Sequence, residues 1–179
     1  MTAEELISRL RVVPDFPIKG IQFFDVTTLF KDRECLSAMV DMLYEEYKDK
    51  GITKIVGVES RGFLLGPALA VRLGAGFVLA RKKGKLPADT ISETYTKEYG
   101  TDIIEIHKDA ITGDDVCLIH DDLLATGGTI AAAWRLVEKF HPKATLLSFI
   151  LDITDCPKLP EFPKDVPCHA LVQVQEGNY

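Results

Sequence analysis

The thirteen residues from Cys117 to Thr129 hold most of the side chains in this chain whose type and spacing could do chemistry. An apolar run, Cys117-Leu-Ile119, leads through His120 to two adjacent acids, Asp121 and Asp122. A small-residue turn, Ala125-Thr-Gly-Gly-Thr129, then opens a helix. Glycines at 127 and 128 allow a tight turn and close approach of backbone to a ligand. Thr126 and Thr129 add hydroxyl donors, and a helix starting near Thr129 points its positive end at the turn. The result is a nest for one phosphate, and a side chain introduced at Gly128 is expected to fill it. The turn is not a Walker loop, because no Gly-Lys-Ser/Thr follows, and it lacks the spacing of a dinucleotide fingerprint.

Asp121 and Asp122 repel each other, so their placement calls for a cation or for hydroxyl donors. Each carboxylate can accept from a sugar hydroxyl, and the pair favours any positive charge developing on the sugar. A unit charge about 4 Å away is worth about 4 kcal/mol at an effective dielectric of about 20. Acid pair and phosphate nest together suit the ribose hydroxyls and 5′-phosphate of one sugar phosphate. His120 reads as a strand residue satisfied by a neighbour, not as a base catalyst.

The elements that must position these groups alternate along the chain. Residues Thr2 to Arg11 read as a short amphipathic helix with Leu6, Ile7 and Leu10 on one face, stopped by Pro14 and Pro17. Ile21 to Phe24 is extended, and Arg33 to Lys48 is a second helix. The strands expected next are Lys54–Val58, Gly76–Ala80, Asp102–His107, Asp115–His120 and Ala144–Leu151. Helices are expected over Phe63–Leu73 and Thr129–Phe140. This order predicts an α/β fold with a mostly parallel central sheet flanked by helices. Ligands in such folds bind beyond the carboxyl ends of the strands. Residues 82–100 make too long a connection to be idle and read as a lid. The tail from Asp155 to Pro167, with four prolines, reads as a surface excursion before a last short strand.

Bulk properties set the class. With 179 residues, 46% hydrophobic and 27% charged, the chain reads as one globular domain. The net charge of −6 argues against nucleic-acid binding. No apolar run is long enough to span a bilayer, and no leader is recognisable. Cys35, Cys117, Cys156 and Cys168 show no metal-ligand spacing and read as free thiols, which together predicts a cytoplasmic protein. Arg81, Lys82, Lys83 and Lys85 cluster at a strand end, either as a solvated patch or as an anion-binding set.

An acid pair followed after two residues by Ala-Thr-Gly-Gly-Thr, behind a buried strand, resembles the donor-binding loop of the type I phosphoribosyltransferases. Pro14-Asp-Phe-Pro17, Glu59-Ser-Arg-Gly-Phe63, Arg81-Lys-Lys-Gly-Lys-Leu-Pro87 and Glu98-Tyr-Gly100 match the adenine-using branch of that family in the right order, over about residues 14–155. The resemblance implies one domain over 1–179, with an N-terminal hood over 1–32 and a flexible lid hairpin over 82–100. It implies transfer of the phosphoribosyl group of 5-phosphoribosyl-1-pyrophosphate to N9 of adenine, giving AMP and pyrophosphate in purine salvage. Ala125, Thr126, Gly127, Gly128 and Thr129 would hold the 5′-phosphate, and Asp121 and Asp122 the ribose hydroxyls. Glu59 and Ser60, joined by a non-proline cis peptide, would line the pyrophosphate with Arg61, Arg81, Lys85 and Tyr99. Adenine would contact backbone of Gln22, Phe23 and Phe24 and stack between Phe23 and Ile153. Glu98, alongside the two aspartates, is the candidate catalytic carboxylate, with a solvated lid acid as the alternative. Mg2+ would be held mainly by substrate and water, with no direct protein ligand. A homodimer is implied, because Arg61 can reach across an interface in such enzymes.

Two positions depart from the family pattern: Phe24 where many relatives carry Arg, and His120 where an aliphatic residue is usual. Two other readings stay open on sequence alone, a transferase for a 6-oxopurine and a donor-sensing regulator without chemistry.

Overall fold

A computed structural model describes residues 1–96 and 100–175. It contains nine strands and five α-helices among the described residues. The chain begins with α1 (Ala3–Ser8), β1 (Arg11–Pro14), β2 (Gln22–Asp25) and α2 (Thr27–Phe30). Next come α3 (Arg33–Tyr47), β3 (Lys54–Val58), α4 (Gly66–Leu73) and β4 (Gly76–Lys82). It continues through β5 (Thr90–Thr96), β6 (Thr101–His107), β7 (Val116–Leu124), α5 (Gly128–Glu138), β8 (Ala144–Ile153) and β9 (Cys168–Val174).

The helices start where capping chemistry allows. Thr2 accepts from the Glu5 amide while Glu5 reaches back to the Thr2 amide, a capping box that opens α1. The Asp32 carboxylate accepts from the amides of Glu34 and Cys35 and opens α3. α4 ends at Gly74, whose left-handed φ of 68° closes the last turn.

Seven strands form one sheet in the order β5-β6-β4-β3-β7-β8-β9. The pairs β4-β3, β3-β7, β7-β8 and β8-β9 are parallel, and β5 and β6 add an antiparallel edge. β1 and β2 make a separate antiparallel pair, with Val12 opposite Phe24. Apolar residues pack on both sheet faces. One layer joins Leu6, Met39, Leu43, Tyr47, Leu69 and Ile150; the other joins Ile106, Ile119, Ile130, Leu136, Val137 and Phe149. Burying one such side chain fully stabilises the fold by about 1.5–3 kcal/mol.

The expected mostly parallel sheet between helices is what the chain forms. Four local expectations change. The first helix stops at Ser8, and Arg11–Pro14 forms β1 because β2 is available to pair with it. The helix expected from Phe63 starts at Gly66, behind a 3-10 turn over Arg61–Phe63. Thr90–Thr96, read as part of a loop, is a strand paired along its whole length with β6. The strand expected to end at His120 runs on to Leu124, because β8 pairs with it as far as Leu124 opposite Asp152.

Candidate active site

Strand order decides where a ligand goes. From β3 the chain builds leftward to β4, whereas β7 and β8 build rightward, so the connections diverge between β3 and β7. A crevice must open there at the carboxyl ends of the strands. A cavity of about 260 Å3 occupies that position, lined by Glu59, Ser60 and Arg61 beyond β3 and by Asp121 to Ile130 around the β7–α5 turn, Leu124 excepted. Tyr95 of β5 closes a further side.

The floor is the turn between β7 and α5. Gly127 takes a left-handed φ of 82°, a conformation that strains any residue with a Cβ. α5 has no side-chain N-cap, so the amides of its first turn lack intrahelical acceptors and face an anion-sized space. The proline-rich excursion fastens the turn from behind. The Leu159 amide donates to the Thr126 carbonyl at 2.9 Å. A Cβ on Gly127 would lie 2.5 Å from the Phe162 ring, and one on Gly128 would lie 3.1 Å from Leu159 Cδ1. A side chain added at Gly128, which lines the cavity, would also press on the excursion.

The rim is the acid pair, which lies inside β7 and not beyond it. Asp122 is 1% exposed, and its backbone amide donates to Asp121 Oδ1 at 2.9 Å. Arg61 Nε lies 3.0 Å from Asp122 Oδ2. Its N–H does not point at that oxygen, which has no hydrogen-bond donor, so the contact is an ion pair without an aligned hydrogen bond. Burial pushes the Asp121 carboxyl well above the ordinary range, with the neighbouring Asp122 charge adding to it. Burial also raises Asp122, while Arg61 pulls it back. An acid pair with Asp122 buried, Asp121 half-buried and Arg61 the cation beside it among the described residues is poised to accept donors from a ligand.

Gly62 brings the two walls together. A Cβ there would sit 2.5 Å from the His120 carbonyl, so only glycine lets the 3-10 turn lie directly on β7. The Glu59–Ser60 peptide is cis. Glu59 receives Arg81 through Nε at 3.2 Å and Nη2 at 3.1 Å, and also the Lys82 amide at 2.9 Å. These bonds, Arg81 first, hold the Glu59 carboxyl below its usual range. Arg81 also donates to the Lys85 carbonyl. Neither Arg81 nor Lys85 lines the cavity, so this branch of the cationic set stands beside it.

His120 is fully buried, with Nδ1 3.1 Å from Ser148 Oγ, the residue opposite it in β8. Burial depresses its pKa to about 4, so the ring is neutral. The expectation of a residue satisfied by a neighbour holds for Nδ1, whereas Nε2 is buried without a hydrogen-bond partner.

Gln22, Phe23 and Phe24 lie together in β2. Phe23 is half-buried and meets the edge of Phe16 at 5.1 Å between centroids. Phe24 is 2% exposed and belongs to the same apolar layer as Ile153. Only its backbone is available to a ligand. Glu98 and Tyr99 lie outside the described residues. Sequence reasoning missed Tyr95; the alternation in Thr90-Ile-Ser-Glu-Thr-Tyr-Thr96, ending on one inward aromatic, was the available signal.

Residues 25–166 match the family model described as phosphoribosyl transferase domain. The chain belongs to the phosphoribosyltransferase family. It is 59% identical to the adenine phosphoribosyltransferase of Phocaeicola vulgatus over 172 residues, covering 96% of this chain and 99% of that protein. The crystal structure of adenine phosphoribosyltransferase from Rhodothermus marinus superposes with a TM-score of 0.88 at 47% identity, covering 96% and 98% of the two chains. The Saccharomyces cerevisiae enzyme, complexed with D-2,5-dideoxy-2,5-imino-altritol 1,6-bisphosphate and adenine, gives 0.87 at 39% identity, covering 94% and 97%.

Proposed function

We propose that this protein is an adenine phosphoribosyltransferase, transferring the 5-phosphoribosyl group of 5-phosphoribosyl-1-pyrophosphate to N9 of adenine with release of AMP and pyrophosphate. The observation that carries this reading is one cavity, at the divergence of β3 and β7, with an uncapped helix start on its floor and an acid pair, half-buried Asp121 and buried Asp122, on its rim. That cavity matches a ribose 5-phosphate in both size and chemistry. The family and the high identity to adenine-specific relatives supply the base.

The 5′-phosphate accepts from the amides of the Ala125–Thr129 turn. Asp121 and Asp122 accept from the 2′- and 3′-hydroxyls and stabilise positive charge as the bond from C1′ to pyrophosphate breaks. Arg61 neutralises the departing pyrophosphate from the far wall, beside Glu59 and Ser60. Arg81 reaches that group only if it leaves Glu59, and Lys85 stands beside it. Adenine lies between Phe23 and Ile153, with backbone of Gln22 to Phe24 reading its edge. Glu98 as the proton-handling carboxylate and Tyr99 as a donor contact are part of the same reading and lie outside the described residues. Residues 1–32 serve as a hood and 82–100 as the lid, within a single domain that excludes water from the donor.

Mg2+ belongs to this reading. Among the described residues no group of three or more His, Cys, Asp or Glu could hold a metal. The residues would instead suit an ion carried by donor oxygens and water, with no direct protein ligand. Magnesium supplies charge neutralisation on the pyrophosphate. A homodimer is supported by the apolar side chains Leu64, Val71 and Leu79, which stand 50%, 82% and 38% exposed. No helix among the described residues is long and apolar enough to cross a membrane. The four free cysteines suit a reducing, cytoplasmic setting.

The test is nucleotide formation from 5-phosphoribosyl-1-pyrophosphate with adenine, guanine and hypoxanthine in parallel. Turnover should be confined to adenine; turnover with a 6-oxopurine exceeding it overturns the assignment.

A further inference from the structure

The antiparallel hairpin β5–β6 is weakly joined to the rest of the sheet. β6 pairs with β4 over two residues, Glu105 opposite Arg81 and Ile104 opposite Lys82, with one further backbone bond from the Lys83 amide to the Ile103 carbonyl at 3.1 Å, and among the described residues β5 is the edge strand. Yet Tyr95 of β5 is one wall of the cavity and only 8% exposed. Apolar packing holds part of that wall, since Tyr95 and Ile91 share a layer with Ile130 and Leu136 of α5, and a polar attachment is added to it.

Two residues before Tyr95, Glu93 carries the attachment. Its Oε1 lies 2.9 Å from Arg135 Nε, on the last turn of α5, and its Oε2 lies 2.7 Å from Nζ of Lys139, the residue that caps that helix. The same two cations also bind β5 backbone, Lys139 donating to the Ser92 carbonyl at 2.8 Å and Arg135 to the Thr94 carbonyl at 3.4 Å. The Glu93 side chain is 20% exposed, which removes much of the solvent screening. Burial raises its pKa, but the Lys139 and Arg135 hydrogen bonds more than offset this and the net direction is down. Opposite strand residues to Glu93 and its neighbours, from Ile103 to Glu105, bring no cation to the cluster.

α5 is also the helix whose first turn floors the phosphate nest. We propose that Glu93 is a positioning residue: its clamp on Arg135 and Lys139 anchors the base of the lid, so that the Tyr95 wall and the phosphate floor form one body and the donor meets a preformed site. The role in turnover rests on the transferase reading above; the clamp itself does not.

Steady-state kinetics and hydrogen exchange test it together, on Glu93→Ala, on Arg135→Ala with Lys139→Ala, and on all three combined. Loss of the clamp should raise KM for 5-phosphoribosyl-1-pyrophosphate by about tenfold while KM for adenine stays within about twofold, the size expected when a binding wall is misplaced. The triple variant should be no worse than Arg135→Ala with Lys139→Ala, because without those two cations the Glu93 carboxylate has no clamp left to lose. Amides from Ile91 to Tyr95 should exchange faster in each variant, with those of α5 unchanged. Wild-type donor KM, equal losses for both substrates, additive effects or unaltered exchange would each overturn the proposal. If Glu93→Ala does not fold, Glu93→Gln keeps the shape and carries the same expectations. Absence of AMP formation by the parent protein would count against the transferase reading alone, and the exchange comparison would still decide the clamp.

Discussion

At the scale of single residues, the site is built from groups that lower stability when no ligand is present. Asp121 and Asp122 have pKa values raised by burial, so the folded chain holds protons that the unfolded chain releases. Their contribution is therefore most favourable below the ordinary carboxylate range and is lost as pH rises through the raised values. Asp121→Asn with Asp122→Asn should raise the melting temperature of the ligand-free protein at pH 7. It should also lower turnover by about a hundredfold or more, the scale of lost electrostatic stabilisation. A double variant that is less stable, or as active as the parent, would contradict this pairing of effects. His120 acts in the opposite direction. Its pKa falls from an ordinary value to about 4 on burial, so the unfolded chain binds the extra proton between those limits. Stability is complete above the ordinary histidine range and is lost as pH falls toward about 4. Urea unfolding at pH 7 and pH 5 should show that loss, and His120→Leu should reduce it; an identical pH slope in the variant would exclude His120 as its source.

At the scale of elements, the excursion between β8 and β9 fixes the site more than its proline-rich composition suggests. Lys158 binds the Asp152 carboxylate at 2.8 Å and the Ile153 carbonyl at 2.9 Å, while Leu159 and Phe162 lie against the phosphate turn. One short segment thus ties the end of β8 to the floor of the cavity. Gly127→Ala should destabilise the protein by about 1–3 kcal/mol through its left-handed φ and should weaken donor binding. Combining it with Phe162→Ala should recover only the steric part, measured as partial recovery of the unfolding midpoint; full recovery would show that backbone strain is negligible there. The same elements show how far the sequence could be read. β3 was legible to the residue because a buried parallel strand is an unbroken apolar run. The acid pair and the glycine turn were legible because their spacing is rare outside a phosphate site. The end of β7 was not: aspartates disfavour strands locally, and pairing with β8 overrides that preference. β5 was missed because its alternation is polar and Thr-rich, as an edge strand tolerates, and β1 because a four-residue strand gives no periodic signal of its own. The Phe162 and Leu159 contacts come from residues more than thirty positions from the turn they support, and nothing local encodes them.

For the whole molecule, the charge and the exposed apolar side chains constrain behaviour in solution. The net charge of −6 is set against a cavity that must accept a highly anionic donor, so Arg61 and the neighbouring Arg81 must counter that field locally. Sedimentation should give a mass about twice 19.9 kDa, in keeping with burial of Leu64, Val71 and Leu79 between two copies. Leu64→Asp should shift the protein toward monomer and lower its activity, and a monomeric, fully active parent protein would contradict the dimer.

The account rests on one cavity gripping a sugar and its phosphate at once. A crystal structure with ribose 5-phosphate would test that directly. Phosphate density should sit against the amides of Ala125 to Thr129, with the 2′- and 3′-hydroxyls on Asp121 and Asp122. Density for the phosphate elsewhere, or a sugar turned away from both aspartates, would contradict it.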